Sequence, residues 1–172
     1  IHWPNPGQGL YVEAFKALLE ARAAGLISHV GVCNFLPEHL ETLYAATGEY
    51  PEVNQIELHP YFPQLQALAF HRERGIITQA WSPLRRGGEL FSEPAVLEPA
   101  ARLGVSPAEA VLAWHVAIGS LPIPKSANPD RQLANLRAQD LVLTEAEVAA
   151  ITALGRPDGR MKGQDPAVYE EF

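Results

Sequence analysis

Val53-Asn54-Gln55-Ile56-Glu57-Leu58 alternates with period two and reads as a β-strand. Asn54, Ile56 and Leu58 fall on one side, and Val53, Gln55 and Glu57 on the other. A helix is expected next, at about 64–74, closed by Gly75, and Ile76 to Trp81 reads as the following strand. The same alternation runs outward in both directions. Upstream, residues 10–24 place Leu10, Ala14, Leu18 and Ala21 on one stripe with Phe15 and Leu19 beside it, and Gly25 ends the run. Residues 29–33 form a short strand, and Pro37 opens a helix with Leu40, Leu43 and Tyr44 on one face. Downstream, residues 94–103 are helical. Ser106-Pro107-Ala108-Glu109 is a capping box that opens another helix, ending near Gly119. Leu121 to Ile123 is the last strand, Asn128-Pro129 caps a helix, and Thr144 to Glu147 is a second capping box, for a final helix to about Leu154.

Repeated strand–helix units imply parallel strands covered by helices. A closed (β/α)₈ barrel spends about 31 residues per unit, so four units and a strand end account for about 140. The chain has no initiator Met, and Ile1-His2-Trp3-Pro4 reads as the end of a strand carrying a histidine. The expectation is an α/β fold: a TIM barrel of which this chain supplies the end of strand 4 through strand 8 and the C-terminal helices. Residues 1–155 belong to that barrel, and 156–172 form a polar, Gly/Pro-rich tail. Half a barrel would expose two strand edges, an association hazard.

Composition narrows the function. The 172 residues are 47% hydrophobic and 19% charged, an ordinary globular balance for one domain at most. A net charge of −7 argues against nucleic-acid or anionic-lipid partners. No run approaches the roughly 18 apolar residues of a membrane span. The single cysteine, Cys33, excludes an internal disulfide and a Cys-based zinc cluster, and fits a reducing cytoplasm. Glu57 and His59 lie two apart, but no His-x-His or His-Glu-x-x-His occurs, so no metal is expected.

Five motifs then stand in order: His2-Trp3-Pro4, Gly31-Val32-Cys33-Asn34-Phe35, Val53 to Pro60, Trp81-Ser82-Pro83-Leu84 and Ile123-Pro124-Lys125-Ser126. In sequence and spacing they resemble the aldo-keto reductases, above all bacterial members of the 2,5-diketo-gluconate reductase type. The resemblance covers residues 1 to about 155. It implies a TIM barrel that binds NADPH without a Rossmann domain and reduces aldehydes and ketones to alcohols. Consistently, no G-x-G-x-x-G occurs.

The resemblance also implies roles. His2, at a strand end where barrel enzymes place catalytic groups, matches the histidine that orients the substrate carbonyl; read alone, it is a satisfied strand-end histidine. Trp3 would line the substrate site. Cys33, Asn34 and Gln55 match residues that hold the nicotinamide carboxamide, with Cys33 in place of the usual Ser. Read alone, Asn34 is turn chemistry and Gln55 a buried polar contact. Trp81 matches the aromatic that stacks on the nicotinamide, although a strand-end aromatic is more often packing. Ser82 and Leu84 match pyrophosphate contacts on the loop after strand seven; Arg85 and Arg86 beside them are either further contacts or solvated charges. Lys125, Ser126 and Arg131 surround a helix N-terminus, which suits a phosphate, and match the 2′-phosphate site. This predicts NADPH over NADH. Asn135 matches an adenine contact; Ala134 replaces a frequent Glu.

The family's proton-donor Tyr, with its Lys and Asp, lies upstream of the His-Trp-Pro motif and finds no match among these residues. The isolated chain is therefore expected to be inactive, and a complete barrel to be monomeric. The alternative is a non-catalytic barrel that binds NADPH as a sensor or scaffold.

Overall fold

A computed structural model describes residues 1–171. Phe172, the last residue of the expected tail, lies outside the described residues. The order is α1 (Tyr11–Ala23), β1 (Gly31–Cys33), α2 (Pro37–Thr47), β2 (Val53–Glu57), α3 (Leu65–Glu73), β3 (Ile77–Trp81), α4 (Pro94–Leu103), α5 (Pro107–Ala117), β4 (Leu121–Pro122), α6 (Pro129–Arg137) and α7 (Glu145–Thr152). Every expected strand and helix is present, with ends moved by at most two residues. Two 3₁₀ segments, Gly88–Ser92 and Ala138–Asp140, carried no sequence signal. The strands follow one another in the sheet in chain order, β1-β2-β3-β4. This succession of strand, helix and neighbouring strand is the α/β barrel pattern.

The chain forms two compact units. The first holds Ile1–Ile56, Leu65–Gln79 and the segment from Met161. In it β1 and β2 pair in parallel, with Gly31 opposite Val53 and Cys33 opposite Gln55. Ile1 continues the ladder on the other side: its amino group donates to Gly31 O (3.1 Å) and its carbonyl accepts from Cys33 N (2.7 Å). The expected strand end is there, reduced to one residue of pairing. Phe15 from α1, Val30 and Val32 around β1, and Leu40 and Leu43 from α2 form the apolar core with Phe35 and Ile76.

A buried polar chain ties α3 to β2 and β3. Asn54 uses its side chain on both backbone groups of Phe35, accepting from N (3.3 Å) and donating to O (2.8 Å), and reaches His71 Nε2 (3.0 Å). His71 Nδ1 meets Thr78 Oγ1 at 2.8 Å. Burial pushes His71 down to about 4, so the ring is neutral near pH 7 and both nitrogens are satisfied. Gly75, at φ +70°, turns the chain out of α3 into β3, where a side chain would be strained.

The second unit holds Glu57–Gln64 and Ala80–Arg160. Its centre is α5, in which every residue from Ala110 to His115 is buried. Trp114 Nε1 donates to Thr152 Oγ1 of α7 at 2.9 Å. Both expected capping boxes form: Ser106 N donates to Glu109 Oε2 (2.9 Å) and Thr144 N to Glu147 Oε2 (2.7 Å). Arg102 grips Glu147 with two bonds of 2.6 and 2.7 Å and, as the main cause, draws its carboxyl down to about 2. Among the described residues no helix is long and apolar enough to cross a membrane.

Candidate functional site

In the first unit the expected residues converge at the C-terminal end of β1. Asn34 follows β1 directly, at φ +62°, a left-handed conformation that Asn tolerates better than most residues. Its backbone N–H donates to Gln55 O (2.9 Å) and its side-chain Nδ2 to His2 O (3.1 Å). His2, Asn34 and Gln55 are thus joined by two hydrogen bonds, although they come from three separate stretches of the chain. Gln55 also donates through Nε2 to Gln79 Oε1 on β3 (2.9 Å), a partner that sequence reasoning missed. Gln79 sits two residues before Trp81 on the same strand, so period two was the signal available for it. Cys33 is half-buried and burial pushes its thiol up, which keeps it protonated and unreactive.

His2 itself is largely exposed, and its Nδ1 lies 2.5 Å from Glu171 Oε2. Trp3 is buried under Tyr169, with ring centroids 4.5 Å apart. The tail is therefore folded back onto the His-Trp-Pro segment.

In the second unit, the loop after β3 is held from below. His115 Nε2 donates to Pro83 O (3.1 Å) and its Nδ1 pairs with Ser120 Oγ (2.7 Å). Burial, the main cause, pushes His115 down to about 4. Ser82, Arg85 and Arg86 all have positive φ, of 50, 45 and 61°. Arg85 N and Gly87 N close consecutive turns on Ser82 O and Leu84 O (2.8 and 2.7 Å). Such clustered left-handed residues cost energy, and the cost is concentrated in the loop that carries Ser82 and Leu84. Arg85 is no free surface charge: its guanidinium lies 5.0 Å from the Tyr61 ring centre, and that of Arg156 lies 4.1 Å from the same ring. Trp81, Ser82 and Leu84 are half-buried.

At the start of α6, Asn128 caps the helix by accepting from Arg131 N (3.0 Å). Ser126 Oγ accepts from Asn128 N at 3.1 Å. Pro129 has no N–H, so this helix start offers fewer backbone donors than expected. What it does offer is side-chain charge. Lys125 and Arg131 are exposed, and among the described residues neither has an ion pair. Asn135 is half-buried on the following turn. The Glu57–His59 pair is buried at 3.0 Å, and no group of three metal-binding side chains exists among the described residues.

The chain resembles known proteins over nearly its whole length. A model of the aldo/keto reductase family matches residues 1–156. The chain is 49% identical over its whole length to 2,5-diketo-D-gluconic acid reductase B of Corynebacterium sp. (strain SHS752001), spanning 61% of that protein. It is 40% identical over 96% of its length to methylglyoxal reductase DkgA of Escherichia coli (strain K12), spanning 60% of it. The crystal structure of a Gox0644 mutant in complex with NADPH superposes with a TM-score of 0.93 at 43% identity, covering 99% of this chain and 62% of that one. The chain thus spans about three-fifths of the length of these relatives.

Proposed function

The chain belongs to the aldo/keto reductase family, and from that premise we propose that the protein carrying it reduces small aldehydes and ketones to alcohols with NADPH. The observation that supports this most is the joining of His2, Asn34 and Gln55 by hydrogen bonds at one strand end. A primary carboxamide is read by side chains that both donate and accept, as Asn34 and Gln55 do. The neighbouring His2 then addresses a carbonyl oxygen, with Trp3 beside it.

The donor set suits the cofactor. Lys125, Ser126 and Arg131 supply two cations and a hydroxyl for the 2′-phosphate, and Asn135 stands near for the adenine. Ser82 and Leu84 serve the pyrophosphate from a loop fixed through His115, and Trp81 offers a face to the nicotinamide. Bound NADPH would supply the hydride for the carbonyl carbon. His2 holds the oxygen, and the proton that completes the alcohol comes from a donor outside these 172 residues. The isolated chain is accordingly inactive in this reading.

The test is cofactor discrimination. Arg131→Ala should raise the Kd for NADPH about tenfold, the loss of one charge-assisted hydrogen bond. The Kd for NADH should stay unchanged. Fluorescence titration of the intact protein reads both. Equal losses for the two cofactors would remove Arg131 from the 2′-phosphate site.

A further inference from the structure

We propose that Glu171 is a positioning residue for His2: its carboxylate accepts Nδ1–H and turns Nε2 towards the substrate, where the ring carrying both protons donates Nε2–H to a carbonyl oxygen. What His2 does with that nitrogen rests on the reductase reading; the pairing does not.

The carboxylate is not a chance neighbour. An exposed imidazole can turn about two side-chain bonds, and a carboxylate at Nδ1 fixes its orientation and keeps a proton on that nitrogen. For that purpose the carboxylate must itself be held. Asn5 does so with two bonds to the Glu171 backbone: its Nδ2 donates to Glu171 O (3.2 Å) and its Oδ1 accepts from Glu171 N (2.9 Å). Asn5 adopts φ +45° to make this clip. The two preceding tail residues dock on the same segment. Glu170 takes Gly7 N–H at 2.5 Å and Gln8 Nε2 at 3.5 Å, and Tyr169 covers Trp3. Three consecutive residues of the tail are thus docked on residues 2–8, and the pair to His2 lies at the end of that row. The ring is 68% exposed on its side chain and its carboxylate partner only 37%, so the better-held group orients the freer one.

The experiment uses the intact protein with ¹⁵N-labelled histidine. In the wild type, the His2 ring is expected as a single species with Nδ1 protonated. Glu171→Ala should abolish that preference and lower kcat about tenfold, the low end of what an orienting partner contributes to a histidine. KM should move less than about twofold, because substrate binding is not what is lost. Glu171→Gln, whose oxygen still accepts, should restore most of kcat. Asn5→Ala should shift ring and rate in the same direction as Glu171→Ala. An unchanged ring spectrum in Glu171→Ala overturns the proposal, whatever happens to the rate. A changed ring spectrum in a protein that reduces no carbonyl upholds the pairing and sinks the reductase reading instead.

Discussion

His71 and His115 show how single residues set the response to acid. Both rings are buried and neutral, at about 4. In the unfolded chain a histidine titrates near 6.5. Above about pH 6.5 both states are neutral and the stabilisation is complete. As pH falls from about 6.5 towards about 4, the unfolded chain binds protons that the folded one refuses, and stability falls. Between pH 7 and pH 5 the loss should be about 2 kcal/mol per histidine. Urea midpoints at the two pH values measure it, and His71→Gln should remove one of the two shares. A midpoint that does not move would mean the rings are protonated in place. At this scale the sequence revealed which residues matter more readily than what they touch. Asn34 and Gln55 stood out by motif, but the bond from Asn34 to His2 and the pairing of Gln55 with Gln79 needed coordinates. Glu171 carried no signal in the sequence that linked it to His2. Nothing local marks a contact between opposite ends of a sequence.

Helices were read well where their signals are local. The Ser106 and Thr144 capping boxes and the Asn128 cap all form as the sequence suggests. Thr144→Ala should cost about 1 kcal/mol of stability, seen as a lowered urea midpoint with an unchanged slope. The segments that escaped reading are those set by tertiary contact. One is the loop after β3, whose shape depends on His115 reaching Pro83 and on Arg85 and Arg156 contacting the Tyr61 ring. Another is Gly159, which reads as ordinary tail glycine. A Cβ there would come within 1.9 Å of Tyr61 O, a backbone atom that cannot swing aside. Gly159→Ala should therefore cost about 1–3 kcal/mol, the usual range for overpacking. A neutral result in thermal melts would mean that residues 156–160 shift freely away from Tyr61.

At the scale of the whole chain, the repeated strand–helix units made the barrel class legible, because parallel strands need a covering helix between them. The last strand is only Leu121–Pro122, with Leu121 and the adjacent Ile123 exposed. Apolar residues beside a sheet edge promote association. The 172-residue piece made alone should self-associate, measured by sedimentation, whereas a monodisperse 18.8 kDa species would contradict the edge argument. Turnover by the intact protein tests the reductase reading. Oxidation of NADPH should be followed by absorbance with a panel of small aldehydes and ketones. Consumption should depend on the carbonyl, be much slower with NADH and be lost in His2→Ala. Tight NADPH binding with no carbonyl-dependent oxidation across that panel would contradict the reductase reading, and would favour a barrel that holds the cofactor as a sensor or scaffold.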